Sequence, residues 1–192
     1  LGLAGRKESV KLLIRDFPGE YLTSEIKTDR DEIYKFMAGA TVILIAVDTP
    51  YLMEEDGKYN NEKNKVDIVT HYLKDNVAAI ENKLVLFVPL KCERYLHDGK
   101  INLVSQKTKE TYGELASFFE KNNIASFVTP IVTLGGMEFD HMEEGQGIGD
   151  VPKISVFRSW EKQPEYKPLF CPQPLYYLLT YVTNYYEWQK KQ

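Results

Sequence analysis

Apolar residues in this chain gather in short dense runs, separated by stretches in which they recur at helical spacing. The runs 41–47 (TVILIAV) and 84–89 (LVLFVP) are too short for buried helices and rich in β-branched or large apolar side chains, so they predict buried strands. Val10, Leu12, Leu13 and Ile14 read the same way, as does 124–134 (IASFVTPIVTL), where Pro130 makes the pairing irregular or edge-like. Between these runs, 29–38 (DRDEIYKFMA) has an acidic start and helical spacing of Ile33, Phe36 and Met37, and it stops at Gly39. Val66, Val69, Leu73, Val77 and Ile80 predict a cover helix; Thr108, Tyr112, Leu115 and Phe119 predict another, ended by Asn122 and Asn123. Leu175, Leu178, Leu179, Val182 and Tyr186 predict a last helix with Pro174 in its first turn. The polar stretches 58–65, 99–105 and 135–152 read as loops, the last with five glycines and expected to be mobile. Residues 153–160 predict a half-exposed strand, and 164–174 a proline-punctuated connector. Strand and helix alternate at the spacing of an α/β fold, a parallel sheet with helices on both faces.

Composition narrows this picture without redirecting it. The 192 residues suit one domain, 1–192. A net charge of -4 with no basic run argues against a nucleic-acid surface. Cys92 and Cys171 lie far apart without metal-type spacing, which predicts reduced thiols and a cytoplasmic setting. No apolar stretch has the length of a membrane span.

Candidate chemistry sits where the predicted strands end. Asp16-Phe17-Pro18-Gly19-Glu20 closes the first run with an acid, a tight turn and a second acid. Asp48-Thr49-Pro50 closes the second, where Asp48 reads as a loop-capping acid. Leu90-Lys91-Cys92-Glu93 closes the third, and Thr133-Leu134-Gly135 the fourth. In this order the motifs resemble a Ras-like P-loop GTPase: D-x-x-G with Gln or Glu, then [NT]-K-x-D, then a short base-contacting loop. LIRDFPGE, VDTPYLME, PLKCERYL, TPIVTLGG and the closing PLYYLL helix look most like bacterial double-GTPase-type (TRAFAC-class) domains, over nearly the whole chain.

That resemblance implies a P-loop GTPase-like three-layer sandwich binding GTP or GDP with Mg²⁺ and switching a protein partner. Asp16 would hold Mg²⁺ through water, and the Gly19 amide would contact the γ-phosphate. Glu20 takes the place of the glutamine that orients attacking water; a carboxylate is repelled by phosphate, so hydrolysis is expected to be slow. Lys91 would pack on the base, Glu93 would accept two hydrogen bonds from it, and the Thr133-Leu134 backbone would contact it. Leu90 departs from the family's Asn or Thr. The phosphate loop G-x-x-x-x-G-K-[ST] does not occur in the sequence, and Gly2 to Ser9 is a decoy, since a strand rather than a helix is predicted after it. The expectation is an N-terminally incomplete GTPase-like domain, with GTP hydrolysis contingent on an upstream phosphate loop. Two alternatives stand beside it: a GTPase-fold interaction scaffold that has lost nucleotide binding, and an unrelated flavodoxin-like domain.

Other features read as structural. Asp140, His141, Glu143 and Glu144 lie in a glycine-rich stretch and read as solvated acids rather than metal ligands. Gly145, Gly147 and Gly149 lack the strand and helix of a dinucleotide turn. His71 and His97 read as surface residues, Cys92 as a small filler, and the tyrosines of the last helix as core and cover.

Overall fold

The computed structural model describes residues 13–17, 21–22, 27–145, 151–159, 162 and 165–189. Its elements in chain order are α1 (Lys27–Gly39), β1 (Val42–Asp48), α2 (Thr49–Met53), α3 (Asn60–Asn64), α4 (Val66–Asp75) and β2 (Leu84–Leu90). There follow α5 (Glu93–His97), α6 (Ile101–Thr111), α7 (Gly113–Lys121), β3 (Ala125–Val128), β4 (Glu138–Glu143), β5 (Ile154–Arg158) and α8 (Gln173–Gln189).

The densest apolar runs form the sheet. β1, β2 and β3 pair in parallel in that order, with Val42 beside Leu84, Asp48 beside Leu90 and Leu84 beside Ala125. Alternation along β2 sends Val85 and Phe87 to one face and Leu84, Leu86 and Val88 to the other, all buried, as a central parallel strand requires. On the first face lie Leu73 of α4, Val104 of α6, Tyr112 at the α6–α7 joint, and Leu115 and Phe119 of α7. The Phe87 ring stands 4.9 Å from Tyr112 and 6.3 Å from Phe119. On the second face α8 lays Tyr177 and Tyr181 against the β2 side chains, and the Tyr181 hydroxyl donates to the Asn82 carbonyl at 2.6 Å. The fold is thus α/β, a three-stranded parallel sheet with helices on both faces. No helix among the described residues is long and apolar enough to cross a membrane.

The helix expected over 66–80 ends at Asp75, with Val77–Ala79 a separate 3-10 turn, and the one expected over 108–119 is divided between α6 and α7. Four further stretches differ from the pattern reading. Leu13 and Ile14 lie in exposed coil, 68% and 73% exposed, whereas Arg15 and Phe17 both pack on Phe36 of α1, at 4.0 and 5.2 Å. An apolar run becomes a strand only beside a neighbour that takes its hydrogen bonds, and residues 10–12 lie outside the described ones. Polar residues 60–64 form α3, where Asn60 and Asn64 are buried for their hydrogen bonds. Residues 101–105 open α6, with Val104, Thr108 and Tyr112 four residues apart along one buried stripe. Residues 138–143 form β4, paired antiparallel with β5, so the acids of this stretch lie on a strand.

Burial also governs the ionisable core. It pushes the Cys92 thiol up to about 12 and raises the Tyr112 phenol; Tyr95 is raised by burial and by its hydrogen bond to Glu54. Raised folded values mean the fold holds these protons more tightly than the unfolded chain does. Their contribution is intact below the unfolded values and is lost as pH rises above about 8.5 for the thiol and about 10 for the phenols. We expect denaturation midpoints to fall above pH 9. At pH 8, iodoacetamide should alkylate exposed Cys171 in the native protein and Cys92 only after unfolding.

Candidate functional site

Parallel pairing brings the carboxyl ends of β1 and β2 side by side, so Asp48 and Lys91 meet although 43 residues separate them. Lys91 turns the chain out of β2 in the left-handed region, at φ 60°. Its ammonium reaches the Asp48 carboxylate at 2.6 Å, in a pair that is about a quarter exposed on each side chain (30% and 24%). Asp48 is in turn seated by Asn64: its amide donates to Asn64 Oδ1 at 2.7 Å, and Asn64 Nδ2 donates to the Asp48 carbonyl at 3.2 Å and to Asn60 Oδ1 at 2.7 Å. The second Asp48 oxygen, Oδ1, is buried and finds no hydrogen-bond partner among the described residues.

A continuation of β3 closes the other side. Pro130 interrupts the strand, yet Thr129 still donates to the Phe87 carbonyl (2.9 Å), Ile131 to Pro89 (2.8 Å), and Cys92 to Ile131 (3.3 Å). These bonds carry the 129–135 segment along the end of β2, and the Lys91 amide then donates to Thr133 Oγ1 at 3.1 Å. Glu93 completes the join. It is 5% exposed, and its Oε1 accepts the backbone amides of both Leu134 and Gly135, the latter at 3.2 Å. Its Oε2 is buried without a hydrogen-bond partner among the described residues. Gly135 holds φ 69°, and a Cβ there would fall 2.3 Å from the Lys167 amide nitrogen, so the connector presses directly on this loop.

The β4–β5 hairpin flanks the cluster. Arg94, next to Glu93, donates to the carbonyls of Phe139 (3.3 Å) and Asp140 (2.7 Å), and Tyr95 stacks on Phe139 at 6.5 Å. Phe157 stands edge-on to Phe139 at 6.1 Å and lies 5.2 Å from the Lys91 ammonium.

Of the residues singled out in the sequence, Lys91, Glu93, Thr133 and Leu134 converge. Asp16 does not join them; it is exposed in the coil beside α1, with no hydrogen bond or ion pair to the cluster among the described residues. Gly19 and Glu20 lie outside the described residues. Asp48 is an ion-pair partner of Lys91 rather than a mere loop cap, as a strand-end acid in a parallel sheet can be. Phe157, Arg94 and Asn64 gave no sequence signal. No three His, Cys, Asp or Glu side chains among the described residues are grouped to hold a metal ion. Of the switch turn that the resemblance assigns to Mg²⁺, the described residues hold the exposed Asp16 carboxylate. A cleft of about 780 Å³ opens elsewhere, between α1 and α4, and none of the strand-end residues lines it.

Compared with family models, with curated proteins and with solved structures, the chain finds no match in any of the three. The cluster combines two carboxylates, an ammonium, two backbone amides and an aromatic ring at the strand ends. Beside it the Cys92 thiol is held neutral by burial and lies 3.3 Å from Thr49 Oγ1.

Proposed function

We propose that the chain is a guanine-nucleotide-binding switch domain of the Ras-like GTPase kind, similar to double-GTPase-type domains, in which Lys91, Glu93 and the Thr133-Leu134 backbone read the base. The observation that carries this reading is the junction of two loops some 40 residues apart: Lys91 amide to Thr133 Oγ1, and Glu93 carboxylate to the Leu134 and Gly135 amides. The resemblance requires that meeting of K-x-E with T-L-G. A purine bearing a ring N–H and an exocyclic amino group presents paired donors to a carboxylate, whereas adenine presents no such pair. Glu93 Oε2, buried without a partner, is the acceptor still to be satisfied. Binding through this cluster uses base contacts alone, since the sequence holds no G-x-x-x-x-G-K-[ST] to cradle phosphates.

A fluorescent GDP analogue titrated against the chain is expected to bind weakly. Guanosine and GDP should displace it about equally, and adenosine should not. Lys91→Ala and Glu93→Gln should each weaken binding about tenfold, the effect of one charge-assisted contact of about 1.5 kcal/mol. Equal displacement by adenosine contradicts the reading.

One observation favours a second reading, a GTPase-fold interaction scaffold without nucleotide. Glu93 Oε1 already serves both loop amides, and the Lys91 ammonium is already paired with Asp48. In that reading the cluster ties loops together and a protein partner is the ligand. Absence of any nucleoside binding selects it.

A further inference from the structure

We propose that the β4–β5 hairpin is a shutter on the strand-end site, with the ring of Phe157 lying where a planar ligand would stack on Lys91. Ligand entry and displacement of the Phe157 ring on β5 are then one event. The inference rests on Lys91 being a base-contacting residue, as argued above, and concerns how access to it is regulated.

Three observations carry it. The Lys91 ammonium stands 5.2 Å from the Phe157 centroid, within cation–π range. A flat ligand in contact with both needs about 7 Å between them, so the ring must leave before a base can stack. Second, the hairpin is fastened unevenly. β4 is held by two Arg94 hydrogen bonds and by Phe139, which is 3% exposed and stacked on Tyr95. Phe157 on β5 is only half-buried; β5 is joined to β4 by the ladder and by the Arg158–Asp140 pair (2.9 Å), whereas its start is tethered outward by the surface pairs of Lys153 with Glu55 (2.5 Å) and Glu144 (3.5 Å), which are weak and screened by salt. Third, the register slips between Phe139 and His141, leaving Asp140 as an extra residue beside the Phe139–Phe157 pair. A bulge bends its strand and re-aims nearby side chains, and this one lies next to the residue that covers the site.

The test reads Lys91 exposure without relying on nucleotide. Lysine acylation by an N-hydroxysuccinimide ester, followed site by site by mass spectrometry, is compared in the wild-type chain, Phe157→Leu and Phe157→Tyr. Phe157→Leu is expected to acylate Lys91 about 2- to 5-fold faster relative to Lys121, the factor that corresponds to loss of an exposed cation–π contact. Phe157→Tyr, which keeps the ring, should match the wild type. Equal Lys91 rates in all three chains overturn the shutter, and so does faster acylation with unaltered GDP affinity in a chain that binds GDP. The fluorescent GDP titration on the same proteins should show tightening by a similar factor in Phe157→Leu. If no chain, wild type included, binds GDP, the base-reading function falls, while the acylation rates decide separately whether the hairpin covers Lys91.

Discussion

Replacing Glu93 with alanine is expected to lower stability by about 3 kcal/mol and to loosen the 133–135 loop, although the residue has the composition of a surface acid. The reason is the direction of its bonds. Glu93 sits almost wholly inside the fold, and its Oε1 is the acceptor for two backbone amides, Leu134 and Gly135. Removing it leaves two half-buried donors without their acceptor, at about 1–3 kcal/mol each. Loss of a desolvated charge with one unpartnered oxygen returns part of that cost. Glu93→Gln keeps an acceptor for the loop and should cost about 1 kcal/mol. Urea denaturation gives the stabilities. Hydrogen exchange at the Leu134 and Gly135 amides should accelerate in the alanine variant by far more than in the glutamine one. Equal stabilities for the two variants would show that the loop does not depend on the carboxylate.

Gly135→Ala is the second large effect, expected at about 3 kcal/mol, and Gly99→Ala is its internal control. Both glycines hold φ 69°, so alanine incurs the same left-handed penalty of about 1–2 kcal/mol at each. Their surroundings differ. A Cβ at Gly99 meets nothing within 4 Å, whereas at Gly135 it collides with the backbone of Tyr166 and Lys167, the nearest atom at 2.3 Å. Backbone cannot swing aside as a side-chain tip can, so either the connector or the loop must move. The difference between the two variants in denaturation midpoint isolates that collision. Because the Gly135 amide also bonds Glu93, the alanine should disturb the Lys91–Thr133 contact as well, visible as weaker GDP binding than in Gly99→Ala.

How legible this was in the sequence depended on what holds each element. β2 was plain because a buried central parallel strand needs an unbroken apolar run, and 84–89 is one; the run 41–47 also forms a strand, but β1 lies at the edge of the described sheet with Leu44 52% exposed, not buried as its composition predicts. α6 was half-missed, although Val104, Thr108 and Tyr112 carried an i, i+4, i+8 stripe; the threonine hid it, being polar in type yet buried with its hydroxyl donated to the Val104 carbonyl. β4 could not be read from composition. Its residues are mostly acidic or polar, and it is organised by Arg94 and Tyr95, some 45 residues away. In the site, the meeting of Lys91 and Glu93 with Thr133 and Leu134 followed from the order of motifs. That Glu93 would give one oxygen to the loop, that Asp48 would take the lysine, and that Phe157 would stand 5.2 Å from its ammonium are tertiary facts with no local signature. Leu13 and Ile14 make the converse point: apolar type alone predicted a strand, and the residues lie in exposed coil.

The central claim is that the Lys91–Glu93 turn and the Thr133–Gly135 loop form one base-reading unit. Backbone amide NMR during a guanosine titration addresses it most directly, since each group has its own signal. Saturable shifts are expected at Lys91, Leu134 and Gly135, with the Leu134 amide moving most as its bond to Glu93 is exchanged for one to the base, and no comparable shifts with adenosine. Guanosine that leaves these three signals in place, or adenosine that moves them equally, contradicts it.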